Sequence, residues 1–383
     1  MKPRTRRVAL LFEAFFFAVA SLFLFSSGAS AVPMMSRRYN MPCSNCHAYP
    51  SLQLNQMGLN FFRRGHRFEG DGFDKDFAHL MSAHVEWEYD VQQRESTAFQ
   101  APVVHLHVGG ALSPLFSAYG DAMIGSDGSD IESLYLQLTK ESGSDSYFTA
   151  RAGKISPTII RNYGNGLMAS ASTPLILTDA TLGDNPFTPA RDSFGVNLAG
   201  RWKALFVEAG IVNGMDAEGQ AAVKNHKDLY AIAEVALPDG VSGIGVSYYR
   251  GGYDLGSENI GFLFDRYDRY GVFANFTRDR FRLAGAYLYG KDRISTLEDR
   301  KIRGYYAQAD IQPAGWVVPF ARYDDVKTET PDGTDRTRKG SIGASIRLYE
   351  SEVTGGRVVV EAFRKKEGGE SATGGLINLL WAF

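Results

Sequence analysis

From Phe77 to the C-terminus the chain keeps a two-residue hydrophobic rhythm, and nowhere in that stretch do eighteen apolar residues follow one another. A membrane-spanning helix needs about 20 of them, so strands are what this sequence can build. In the first run Met81, Ala83, Val85, Trp87 and Tyr89 alternate with Ser82, His84, Glu86, Glu88 and Asp90. Successive side chains of a strand point to opposite faces, which makes one face greasy and the other acidic. The pattern recurs in Val104/Leu106/Val108 against His105/His107, in Leu134/Leu136/Leu138 against Ser133/Tyr135/Gln137, and in Phe194/Val196/Leu198 against Asn197/Arg201. Further runs cover 205–212, 229–237, 241–250, 272–276, 281–289, 302–311, 316–323, 340–349, 357–363 and 376–383.

A soluble sandwich would alternate too, so the connections decide. Short turns at 203–204, 238–240, 278–280 and 313–315 alternate with longer polar loops at 213–227, 251–260, 290–300, 325–338 and 365–374. Short on one rim and long on the other is the arrangement of an outer-membrane barrel, whose strands of about ten residues face lipid and lumen in turn. With 259–278 taken as one strand, residues 77–383 give a transmembrane antiparallel all-β barrel of about 16 strands, roughly nineteen residues per strand with its connection, and both termini periplasmic. The alternation Ile377, Leu379, Trp381, Phe383 ends on a terminal phenylalanine and resembles the sorting signature of bacterial outer-membrane barrels. The longest interruption, 155–190, has four prolines yet contains Ile159-Ile160 and Leu175-Ile176-Leu177. Such apolar runs are poorly placed in water, so the segment is expected to fold inward and narrow the pore; packing on the outer rim is the alternative.

The first 31 residues read as an export signal. Lys2, Arg4, Arg6 and Arg7 precede an apolar run interrupted by Glu13, and Ala29-Ser30-Ala31 is a small-residue cleavage site. Cleavage before Val32 would leave a net charge of −5, which argues against nucleic acid as a partner. Residues 32–76 then surround the only two cysteines of the chain, in Cys43-Ser44-Asn45-Cys46-His47. This C-x-x-C-H spacing is that of a covalent haem c: two thiols reach the porphyrin vinyls, and the next residue ligates the iron from the proximal side. A zinc site would need two more ligands close by, and a thioredoxin-like pair a βαβ context; the sequence offers neither. Both cysteines being used on haem, no disulfide is expected. Beyond the motif, 51–64 reads as one amphipathic helix stopped by Gly65. About forty-five residues are marginal for an independent core, so a host surface is expected to hold this segment.

The order signal, single C-x-x-C-H, barrel resembles the fused monohaem cytochrome–porin family of outer-membrane iron oxidases and related extracellular electron-transfer proteins. The residues that carry the resemblance are Arg38 to His47, Tyr49-Pro50-Ser51-Leu52, and Gly58 through Phe62 to Arg67. There an aromatic-proline-x-leucine turn and a glycine/phenylalanine helix follow the motif. The chain departs from the family at Met57, where phenylalanine is usual, and at His66, where tyrosine is common.

The open question is the sixth iron ligand opposite His47. Met57 and His66 are the nearest candidates, and a thioether would give a higher potential than a second imidazole. Alternation also turns His84, His105 and His107 toward the lumen, where they either ligate iron from the wall or line a wet bore. Glu86 and Glu88 beside them would draw in a cation such as ferrous iron. The leading expectation is that the cytochrome segment plugs the barrel. Single electrons would then pass through one haem between an extracellular donor or acceptor and a periplasmic carrier, itself a cytochrome. The resemblance makes extracellular ferrous iron one example of such a donor, and discharge to an external acceptor is equally allowed. The competing readings are a solute porin whose haem module hangs in the periplasm, and a soluble periplasmic haem enzyme.

Overall fold

The computed structural model describes residues 33–383 apart from 48–53, 77–78, 93–97, 127, 144–145, 158–168, 179–184, 186, 190–191, 215–226, 240, 255–263, 295–298, 332 and 351–353. The export signal at 1–31 lies outside the described residues. Helices α1 (Pro33–Tyr39) and α2 (Gln56–Arg63) flank a 3-10 turn at Cys43–Asn45. The strands are β1 (Met81–Gln92), β2 (Ala98–Phe99), β3 (Val103–Ala111), β4 (Phe116–Gly125), β5 (Gly128–Glu141), β6 (Ser146–Ile155), β7 (Ser193–Trp202), β8 (Leu205–Asn213), β9 (Lys227–Ala236), β10 (Gly243–Asp254), β11 (Phe264–Arg278), β12 (Phe281–Ile294), β13 (Arg300–Ile311), β14 (Val317–Thr330), β15 (Gly333–Glu350), β16 (Gly355–Glu367) and β17 (Glu370–Ala382). A single turn of helix, α3 (Leu175–Thr178), lies between β6 and β7.

All neighbouring pairs are antiparallel, and β2 is a two-residue piece paired with β1 ahead of β3, so sixteen strands make the wall. The seam pairs β1 with β17 from His84↔Ala382 to Gln92↔Gly374, which leaves no free sheet edge. The barrel inverts the soluble rule for burial. Leu136, Leu198, Val246 and Ile342 are all more than half exposed on the outside, while their neighbours Gln137, Asn197, Ser247 and Ser341 are buried inside. An apolar outer surface around a polar interior is stable only in lipid. Among the described residues no helix is long and apolar enough to cross a membrane; the crossing elements are strands.

The expected rim asymmetry is present on one side. Hairpins turn at 203–204 and 279–280, with Lys203 and Asp279 in the left-handed region that tight hairpin turns require. Both ends of the barrel chain, Met81 and Phe383, lie on this short-turn rim, where Phe383 and Ala83 exchange two backbone hydrogen bonds of 2.8 Å.

Three expectations need correction. The loops read at 325–338 and 365–374 are strand: β14 runs to Thr330 and β15 resumes at Gly333, and β16 and β17 meet across Gly368-Gly369. Above the lipid both faces of a strand are wet, so alternation vanishes while the ladder continues, held by cross-strand ion pairs such as Arg336–Asp325 at 2.5 Å. Strands β4 and β6 fall between the runs read from the sequence. Within 259–278 the described residues do form one strand, β11, as expected, and 259–263 lie outside the described residues. The helix expected over 51–64 begins only at Gln56, because the Asn55 side chain accepts the Gly58 amide at 3.0 Å and caps it there.

The described part of the 155–190 segment folds inward. Leu175, Ile176, Leu177 and Phe187 are buried in a cluster with inward side chains of β11 to β14. Polar anchors fix it. The Leu175 amide donates to Asp324 at 3.1 Å, the Ser172 amide to Glu361 at 3.0 Å, and the Asn185 amide group to Asp292 at 2.9 Å.

Candidate functional site

The cysteine motif is built onto the start of α2. Asn45 closes the 3-10 turn by donating to the Pro42 carbonyl at 3.0 Å. The Asn55 amide donates to the Cys46 carbonyl at 2.9 Å and its side chain to the Asn45 carbonyl at 2.8 Å. His47 pairs with Leu54 in an isolated antiparallel bridge, so the two arms around 48–53 run side by side. Gly58 is required by this contact, since a Cβ there would stand 2.2 Å from the Cys46 carbonyl oxygen. Cys46 is a free, half-buried thiol whose pKa burial raises. Two cysteines spaced by a 3-10 turn and followed at once by a half-buried imidazole form a donor set that fits a covalent haem c.

The helix behind the motif is fixed inside the short-turn end of the barrel. Arg63 donates to Glu234 of β9 at 2.6 Å and its guanidinium lies 3.6 Å from the ring centroid of Phe206 on β8. Gln137 and Thr139 of β5 donate to the Arg63 and Arg64 carbonyls at 2.8 and 3.1 Å, and Arg201 of β7 donates to Asn60. Arg67 donates to the carbonyls of Ser113 and Pro114, at 2.9 and 2.6 Å, in the turn between β3 and β4. Arg63 is thus ion-paired and the other guanidiniums are hydrogen-bonded, which offsets part of the cost of burying them. At the end of α2, Gly65 adopts φ +80°, and a Cβ there would meet Ser117 at 2.2 Å.

The two distal candidates have different surroundings. Met57 is exposed on the first turn of α2, beside the glycine that touches Cys46. His66 lies past the other end, about 12 Å of helix away. Its ring stacks on Tyr119 at 4.1 Å between centroids, and the Tyr135 hydroxyl is 3.3 Å from Nδ1. Burial, and then the nearby Arg151 cation, push the His66 pKa from the ordinary 6.5 down to about 3. The unfolded chain therefore binds the proton more readily between those values, and docking of the segment is stable above 6.5 and weakens as pH falls toward 3. Protease sensitivity of residues 33–76 is expected to rise steadily on acidification below pH 6.5, with a shallower pH dependence in His66→Gln.

His84, His105 and His107 come together on β1 and β3. His84 stacks on His105 at 4.3 Å and its Nδ1 is 2.9 Å from His107 Nε2; His107 Nδ1 is 2.9 Å from the Tyr119 hydroxyl. Rings thus follow one another from His105 through His107 and Tyr119 to His66 on the plug. Glu86 and Glu88, with Asp90, line a cavity of about 520 Å³ together with Lys339, Arg357 and Lys365. Glu86 accepts from Asn378 at 2.5 Å and Glu88 from Gln100 at 3.2 Å. Sequence reading missed two carboxylates that face His105, namely Asp121 of β4 and Glu132 of β5. Asp121 was discoverable as the inward partner opposite His107, had β4 been identified.

No protein-family model and no curated protein sequence matches the chain. Solved structures do match in fold. OmpT, an outer membrane protein of Vibrio cholerae, superposes with a TM-score of 0.58 at 13% identity, over 79% of this chain and 96% of that one. An anion-selective porin from Comamonas acidovorans gives 0.58 at 13%, over 79% and 98%. OmpF of Salmonella typhi gives 0.56 at 11%, over 79% and 97%. The chain therefore has the closed sixteen-stranded fold of the outer-membrane porin barrels.

Proposed function

We propose that this chain is an outer-membrane electron conduit, a barrel stoppered by its own N-terminal segment, in which that segment carries one covalent haem c. The observation that carries this reading is the build of the C-x-x-C-H segment into the barrel's short-turn end, through Arg63, Arg64 and Arg67. When bound, the haem supplies a carrier for one electron at a time. Cys43 and Cys46 would hold it and His47 would ligate it. Met57 is the better placed of the two distal candidates, since it stands beside Gly58, which packs on the Cys46 carbonyl, whereas His66 lies past the far end of α2 and is engaged with Tyr119 and Tyr135. The arginines and the inward loop keep solutes out while the segment stays fixed. The extracellular partner, ferrous iron by the family resemblance, would approach from the long-loop rim. A periplasmic carrier would meet the short-turn rim, where the motif segment lies.

A solute porin with an accessory haem module is the second reading, favoured by the likeness to porin folds. Liposomes separate the two. With reductant outside and a soluble cytochrome trapped inside, a conduit reduces the trapped protein and leaks little sugar. Sugar leakage without reduction would establish the porin instead.

A further inference from the structure

The geometry points to a divalent metal site in the barrel wall, made by His105 Nδ1, Asp121 Oδ1 and Glu132 Oε2 and suited to a first-row transition cation. These three atoms lie within 4.8 Å of one another on three successive wall strands, β3, β4 and β5. His105 Nδ1 stands 3.4 Å from Asp121 Oδ1 and 3.4 Å from Glu132 Oε2. That is too long for a good hydrogen bond. It is the separation of two ligands on one ion, because bonds of about 2.1 Å meeting at a near-tetrahedral angle place their far ends about 3.4 Å apart.

Two independent features support a ligand here. His105 is only 6% exposed, and neither its Nδ1 nor the buried Oδ1 of Asp121 makes a hydrogen bond; they meet only in the 3.4 Å contact, an ion pair when the ring is protonated. Buried polar atoms left this way are costly, and a cation would satisfy both at once. The second feature is the backbone of β5. Pairing with β4 runs Asp121↔Ser133 and then Ala122↔Ile131, skipping Glu132. The bulge lets Leu134 and Ile131 both remain on the lipid side, 50% and 47% exposed, although three residues apart. Glu132 is the extra residue, and it is turned to the His105 side. Without the bulge, strict alternation would put Glu132 on the same face as Leu134, in the lipid.

One imidazole and two carboxylates select manganese, iron, cobalt or zinc in the divalent state over soft monovalent copper. The position of the site is also informative. It lies on the inward side of the wall, and the rings of His107 and Tyr119 lead from it to His66 on the plug. A role in presenting the electron donor rests on the conduit reading; occupancy by a cation does not.

The test is equilibrium dialysis of the full-length detergent-solubilised protein against cobalt(II), with elemental analysis of bound metal. One saturable ion per chain is expected, with affinity falling at least tenfold, by about 1.4 kcal/mol or more, in Glu132→Gln and in Asp121→Asn. Asp130→Asn, which removes the exposed carboxylate two residues before Glu132 on β5, paired with Lys154 of β6, should bind as the parent does. Heat-modifiable migration verifies that each variant is a folded barrel. Absence of saturable binding, or binding that Glu132→Gln leaves unchanged, overturns the site. Binding that Glu132→Gln removes supports it, whichever way the liposome experiment falls.

Discussion

Replacing Cys43 and Cys46 together with alanine is expected to give a folded barrel that retains no covalent porphyrin and transfers no electrons above background. The wall is independent of the motif: its seam and its fifteen other strand pairings involve no residue before Met81. Heat-modifiable migration should therefore survive. Haem staining on a denaturing gel should disappear, since it reports only porphyrin held by thioether bonds, and reduction of trapped cytochrome in liposomes should fall with it. Either single variant keeps one thioether and should stain weakly. A double variant that still reduces trapped cytochrome would end the conduit reading.

The second large effect is expected from Arg322→Ala. This guanidinium is fully buried and holds the inward loop. It donates to Ser170 Oγ at 2.7 Å, to the Ser172 carbonyl at 2.5 Å and to Ser172 Oγ at 2.7 Å, and it pairs with Asp324 at 2.8 Å. Truncation strands two fully buried carboxylates, Asp324 and Glu361, with Lys339 4.0 Å from the latter as the remaining cation. Breaking a buried pair costs about 3–5 kcal/mol, comparable with the roughly 1.5–3 kcal/mol that each of Leu175, Ile176 and Leu177 gains from burial. The loop should therefore spend much of its time undocked. Single-channel recordings in planar bilayers are expected to show a several-fold higher and flickering conductance. Arg322→Lys, which keeps the charge but loses the fork, should be intermediate. An unchanged conductance would mean that the loop does not control the bore.

The architecture was legible wherever the outer face carries bulky side chains. Leu134, Leu136 and Leu138 announce β5 because their neighbours Tyr135 and Gln137 point into the barrel. Strand β4 gave no such signal: Ala118, Gly120 and Ala122 occupy its outer positions while Tyr119 faces inward, which flattens the hydrophobic contrast. In β6 Ala150 and Ala152 do the same against Tyr147 and Arg151. The polar tops of β14 to β17 looked like loops because propensity and periodicity fall silent once a strand leaves the lipid.

The site divides along the same line. The thiols, His47 and the capped helix were local features, written in adjacent residues. The contacts that seat the segment join residues such as Arg63 and Glu234, 171 positions apart, and no local pattern encodes such a pairing. Glu132 was hidden for a third reason. A bulge breaks the very alternation by which inward residues are recognised, so a carboxylate that serves the lumen reads as one facing lipid.

The two stoppers stand on separate footings. The polar anchors of the N-terminal segment are on β1 and from β3 to β9, and those of the inward loop are on β11 to β16. Dislodging one leaves the other in its seat, so leakage should accumulate in steps rather than switch on at once. A damaged molecule would thus lose only part of its seal, and only simultaneous failure on both sides would turn the barrel into an open drain.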